Sequence, residues 1–270
     1  MTHVPARRVV IVGVPWDEHS SYLRGAATAP DAIRKAFRSP ASNLTTESGR
    51  DLDHEPALSD AGNLDLPHGA AAADAIERAI RLHLEAGRCV LALGGDHAVS
   101  YPLVRAHRGL HGPLTIVHFD AHPDLYDEFE GDRLSHACPF ARIMEEGLAA
   151  RLVQVGIRTM TAHQRTQAIR FGVDVIEMRR WRPEVPLDVE GPVYVSLDLD
   201  VLDPAFAPGV SHHEPGGASV RDVLTALHHL PGPIVGADIV ELNPVRDPSG
   251  VTAVVAAKFV KEIADRMLGN

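Results

Sequence analysis

Short apolar runs recur along this chain, each followed by a polar loop and then by residues with helical spacing. The first, Val9-Val10-Ile11-Val12-Gly13-Val14-Pro15, is closed by proline and reads as a buried strand. Pro30 then stands at the first helical position for a segment reaching Phe37. Residues 39–65 are polar and irregular, with a short strand near Leu58. An amphipathic helix is expected over 70–86, with Ile76, Ile80, Leu82 and Leu84 apolar and Gly87 as its stop. Beyond it, strands are expected at 89–93, 114–119, 152–157, 173–177, 193–199 and 234–240. Helices are expected at 98–107, 138–147, 161–171, 219–230 and 251–268. This alternation marks an α/β protein with a mainly parallel sheet. No repeat or linker interrupts it, so a single domain over 1–270 is expected.

Three of these strands run into loops rich in carboxylate and imidazole. Gly94-Gly95-Asp96-His97 follows the first, Asp120-Ala121-His122-Pro123-Asp124 the second, and Ser196-Leu197-Asp198-Leu199-Asp200-Val201-Leu202-Asp203-Pro204 continues the third. Asp198 and Asp200 are two apart, so an extended chain turns both side chains the same way. Such carboxylates repel and are costly to bury unless a cation lies between them. In a parallel sheet these loops meet at the carboxyl edge, where ligands bind. The candidate ligands are His97, Asp120, His122, Asp124, Asp198 and Asp200. Mixed carboxylate and imidazole donors suit Mn²⁺, Fe²⁺ or Zn²⁺ better than Mg²⁺ or Ca²⁺. Four Asp and two His exceed the needs of one catalytic ion and match two ions sharing carboxylates. Taken singly, each run has a plainer reading: a turn at Asp203-Pro204, a cap at an Asp-x-Asp, loop-amide hydrogen bonds for Asp96. Their joint occurrence at strand ends favours metal.

Composition narrows the partners. The chain is 45% hydrophobic and 23% charged, ordinary for a globular protein, and its net charge of −10 argues against a nucleic-acid or anionic-membrane surface. Cys89 and Cys138 have no disulfide or zinc-knuckle spacing. No signal-peptide pattern and no run of membrane-spanning length is seen, so a cytoplasmic enzyme is expected.

The three runs together resemble the signatures of the ureohydrolase family, which includes arginase, agmatinase and related guanidino-group hydrolases. Ser135-His136-Ala137-Cys138-Pro139-Phe140-Ala141-Arg142-Ile143-Met144-Glu145 and Ala207-Pro208-Gly209-Val210-Ser211-His212 resemble the plant-type arginase branch. The resemblance implies a three-layer α/β/α sandwich with about eight strands, two Mn²⁺ per chain, and a homo-oligomer, trimer or hexamer. It places His97 and Asp124 on one ion, His122 and Asp200 on the other, and Asp120 and Asp198 between them. It makes Glu241 the carboxylate that holds the guanidinium, which a bidentate pair would favour. His136 becomes the loop histidine that shuttles protons or assists the leaving group. His212 and His213, in the loop beyond the third run, are candidates for the entrance and not for catalysis.

The substrate is read less sharply. Arginine is favoured narrowly over agmatine, with Asp132 and Ser135 as candidate contacts to the substrate tail. Asp132 replaces an Asn of the plant-type branch, and an ionised Asp has no donor for an α-carboxylate. The acidic anchor that animal-type arginases use for the α-amino group is absent, since Gly156-Ile157-Arg158 is followed by Thr159-Met160-Thr161. A mono-zinc deacylase and a non-catalytic binding protein are the remote alternatives.

Overall fold

A computed structural model describes residues 7–69 and 71–269. Eight strands form one parallel sheet: β1 (Arg8–Gly13), β2 (Leu58–Asn63), β3 (Arg88–Leu93), β4 (Leu114–Phe119), β5 (Ala149–Ile157), β6 (Asp174–Glu177), β7 (Val193–Asp198) and β8 (Ile234–Val240). Their spatial order is β2-β1-β3-β8-β7-β4-β5-β6. Among the described residues seven α-helices flank it: α1 (Ala29–Phe37), α2 (Ala71–Glu85), α3 (Ser100–His111), α4 (Pro139–Glu145), α5 (Ala162–Phe171), α6 (Val220–His229) and α7 (Val251–Leu268).

Both faces of the central strands are dry, which is why they read as continuous apolar runs. Leu91 and Leu93 of β3 face a cluster built from α1, α6 and α7. Val90 and Ala92 of the same strand face a second cluster built from α2, α3 and α4. Every residue of β7 and β8 is buried. Each large apolar side chain fully withdrawn from water contributes roughly 1.5–3 kcal/mol. The three-layer arrangement thus follows from the alternation along each strand.

Several boundaries differ from expectation for local reasons. Thr161 and Ser219 are N-caps with capping boxes, so α5 and α6 each start one residue later than expected. His97–Val99 forms a 3-10 turn before α3. β5 starts at Ala149, earlier than expected, because Ala149 and Arg151 pair with Leu114 and Thr115 of β4. β2 is a largely exposed edge strand paired only with β1. Ala70, the first residue of the expected 70–86 helix, lies outside the described residues.

The strands that end in site residues are β3, β8, β7 and β4, the four in the middle of the sheet. Their carboxyl ends therefore converge, although they are scattered along the sequence.

Candidate metal centre

Gly95 makes the first approach possible. A Cβ there would lie 1.8 Å from the Trp16 carbonyl oxygen, so only glycine admits the β1 loop so close. The Gly95 carbonyl accepts from Glu241 N–H at 3.0 Å, and Asp96 N–H donates to Trp16 O at 3.0 Å. Asp96 itself faces away from the ligands: it accepts from His19 N–H, Ser20 Oγ and Ala98 N–H. It organises the loop, as the plainer reading of the sequence held.

His97 is fully buried, and its tautomer can be traced. Ser196 Oγ donates to Asp238 Oδ1 at 2.7 Å, so its lone pair accepts the His97 Nε2–H at 3.0 Å. The bare Nδ1 then faces Asp198 Oδ2 at 3.0 Å, Asp124 Oδ2 at 3.1 Å and Asp120 Oδ2 at 3.2 Å, and has no hydrogen-bond partner among the described residues. A buried nitrogen lone pair ringed by three carboxylate oxygens is repulsive without a cation and is a ready ligand set with one. Beside it, His122 Nδ1 lies 2.9 Å from Asp200 Oδ2 and 3.4 Å from Asp120 Oδ1. Burial, with the charges of Asp200 and Asp120, pushes the Asp198 carboxyl well up, and burial with Asp120 pushes Asp200 up to about 6. The donor set fits a metal, and all six ligands expected from the sequence are brought together.

Three further residues, Gln154, His118 and Asp238, stand behind this cluster. Gln154 Nε2 donates to Pro123 O at 2.6 Å and to His118 Nδ1 at 3.1 Å. The His118 proton is thus on Nε2, which donates to Asp120 Oδ2 at 2.7 Å. Asp238 accepts from Ser100 Oγ, Tyr194 Oη and Ser196 Oγ, fixing the hydroxyl that orients His97. Sequence reading assigned no role to any of the three. His118 was hidden in an apolar strand, although its spacing of two from Asp120 was a usable signal.

Glu241 follows β8 with a left-handed backbone, φ 66°, and Asp124 shares this feature at φ 51°. Such strain in non-glycine residues clusters at functional sites. Glu241 Oε1 accepts from His97 N–H and from His136 Nδ1, both at 2.8 Å. Oε2 has no hydrogen bond among the described residues. Only one oxygen is therefore open to a ligand, in place of the expected bidentate pair. Burial disfavours charge on Glu241, but the His136 contact outweighs it and holds the carboxyl below its usual range. Burial likewise disfavours the His136 cation, and Glu241 overcomes it, raising His136 to about 9. His136 Nε2 lies 2.8 Å from Ser21 Oγ.

These groups open onto a cavity of about 180 Å³, lined by His122, Asp124, Asp198, Asp200, His136, Glu241 and Ser21 among others. Tyr126, Phe129, Thr159, Thr161, Gln164 and His212 complete it. Asp132 and Ser135, expected at the substrate tail, are not on its wall. Asp132 Oδ2 lies 2.5 Å from His19 Nδ1 and its Oδ1 accepts from Leu134 N–H, so the carboxylate is used to pin the β1 loop. Ser135 is buried and its Oγ accepts from Ala137 N–H. Of the two entrance histidines, His212 lines the cavity, whereas His213 is turned to Pro208 O.

A parallel α/β sheet with a carboxylate and imidazole cluster at its carboxyl edge places the chain among α/β proteins able to hold metal ions there. A model of the arginase family matches residues 7–265. Arginase 1, mitochondrial, of Arabidopsis thaliana is 47% identical over 95% of this chain and 80% of its own length. An agmatinase of Bacillus anthracis is 36% identical over 94% and 90%. The arginase from Medicago truncatula superposes with a TM-score of 0.92 at 45% identity, covering 97% of this chain and 88% of that one. The chain belongs to the arginase family, whose members are binuclear metal enzymes. It is a ureohydrolase acting on guanidino substrates. The expectation of a cytoplasmic enzyme is overturned: arginases 46–47% identical to the chain are named mitochondrial or chloroplastic. Among the described residues no helix is long and apolar enough to cross a membrane.

Proposed function

We propose that the protein binds two Mn²⁺ and hydrolyses L-arginine to L-ornithine and urea, as one domain over 1–270 and as a trimer or hexamer. The observation that carries this is one cavity lined both by Glu241 and by Asp124 and Asp198, two of the carboxylates that ring His97 Nδ1. In this reading His97 and Asp124 hold one ion, His122 and Asp200 the other, and Asp120 and Asp198 are shared. Bound there, the ions supply a water deprotonated at neutral pH as the nucleophile.

The chain's own residues do the rest. Glu241 Oε2 accepts from the guanidinium and sets its carbon in line, while Oε1 stays anchored to His97 N–H and His136. At about 9, His136 is protonated at neutral pH and serves as an acid. Its Nε2–H reaches the cavity through the Ser21 hydroxyl, which hands a proton to the departing amine. Tyr126 and Phe129 cover the apolar part of the substrate stem.

Support for arginine is the identity to the Arabidopsis arginase. Agmatine is the second reading, supported by the 36% identity to the Bacillus anthracis agmatinase. Hydrolysis of arginine, agmatine, guanidinobutyrate and formiminoglutamate by the Mn²⁺-loaded protein tests this. The highest kcat/KM is expected for arginine, and a higher value for agmatine would overturn the choice.

A further inference from the structure

Gln164 is the third residue of α5, 4% exposed, and part of the cavity wall. Its Oε1 accepts from Thr161 N–H at 3.1 Å and from Thr161 Oγ1 at 3.1 Å. A backbone N–H can only donate, so the amide cannot be turned over: the oxygen must face Thr161 and the NH₂ must face the other way. That NH₂ has no hydrogen-bond partner among the described residues, and it is not among the buried polar atoms left unsatisfied. A side chain this buried, with its donors open to a cavity, is waiting for an acceptor. The Thr159 hydroxyl, likewise without a partner among the described residues, lies on the same wall.

We infer that Gln164, held by the α5 capping box, is a specificity-determining residue whose amide NH₂ donates to the α-carboxylate of the substrate. The inference rests on the reading of this cavity as the guanidino-hydrolase site. It explains how a wall without the acidic α-amino anchor can still distinguish arginine: it recognises the anion of the tail instead. Agmatine, with an ammonium and no carboxylate, gains nothing from two neutral N–H donors. Asp132 does not oppose this anion, because its carboxylate is turned to His19.

The test is Gln164→Glu in the full-length Mn²⁺-loaded protein. Glutamate keeps an oxygen for Thr161 N–H, so the capping box and α5 survive, and an unchanged Tm confirms it. The NH₂ is replaced by an anion. kcat/KM is measured for arginine, arginine methyl ester and agmatine; the ester keeps the α-amino group and loses only the carboxylate charge. Wild type should prefer arginine to its ester, and the variant should lose that preference, with the arginine-to-ester and arginine-to-agmatine ratios both falling roughly tenfold or more. Gln164→Leu, which removes donor and cap together, should lower both ratios too. Ratios unchanged in Gln164→Glu, while wild type hydrolyses arginine, would overturn the role of Gln164 alone. A wild type that leaves arginine intact would overturn the substrate reading beneath it.

Discussion

Glu241→Gln separates substrate positioning from metal binding. Oε1 of Glu241 accepts from His97 N–H and His136 Nδ1, and a glutamine carbonyl can accept both. The substitution therefore spares the loop that carries His97, and Glu241 is outside the set proposed to hold metal. What it removes is Oε2, which becomes an NH₂ that clashes with a guanidinium donor, and the charge opposite a buried cation. Losing one partner of a buried, hydrogen-bonded charge pair costs about 2–5 kcal/mol, equivalent to roughly 30- to 5,000-fold in kcat/KM. The same change takes from His136 the negative charge that overcomes its burial, so its pKa falls from about 9. Urea release and elemental analysis on the same preparation check both halves. Full metal content with a loss in that range is expected. Turnover near wild type would show that another residue holds the guanidinium, and lost metal would show that Glu241 belongs to the ligand set.

Other outcomes follow from the same contacts. Gly95→Ala would put a Cβ against the Trp16 backbone, and a loss of about 3 kcal/mol in unfolding free energy is expected, read by urea denaturation; an unchanged midpoint would refute the packing argument. His118→Phe removes the Nε2–H that holds Asp120, while the ring can still stack on Phe140; Mn²⁺ affinity by dye competition should fall roughly 10- to 100-fold, and equal affinity would mean that Asp120 needs no such support. His107 is buried against Gly236 and held down to about 4 by that burial, so the folded chain binds fewer protons than the unfolded one between about 4 and 6.5. Stability attributable to it is full above about 6.5 and falls as pH drops, by about 2 kcal/mol between pH 6.5 and 5. His107→Gln should flatten that part of the pH dependence, and an unchanged slope would place the titration elsewhere.

Much of the centre was legible because ligands at strand ends are local events. Asp120, His122, Asp124, Asp198 and Asp200 each lie beside an apolar run, and a parallel sheet must bring such ends to one edge. What could not be read was the order of strands: nothing in 234–240 says that β8 lies between β3 and β7, and this position is what sets Glu241 beside His97. The tail end of the cavity was misjudged for a related reason. Asp132 was judged by its match to an Asn of the plant-type branch, but its partner, His19, comes from the loop after β1. Gln164 gave no signal by itself, since a glutamine at the third position of a helix is also what a capping box requires. Only the direction of its amide, fixed by Thr161 N–H, distinguishes the two uses.

The central claim is a two-ion centre built by six residues, and counting ions tests it most directly. Protein saturated with Mn²⁺ and cleared of loosely held ions should contain two per chain by elemental analysis. Asp198→Ala, which removes a shared carboxylate, should retain fewer than one. A wild type that saturates at one ion per chain, or an Asp198→Ala that keeps two, would contradict the account.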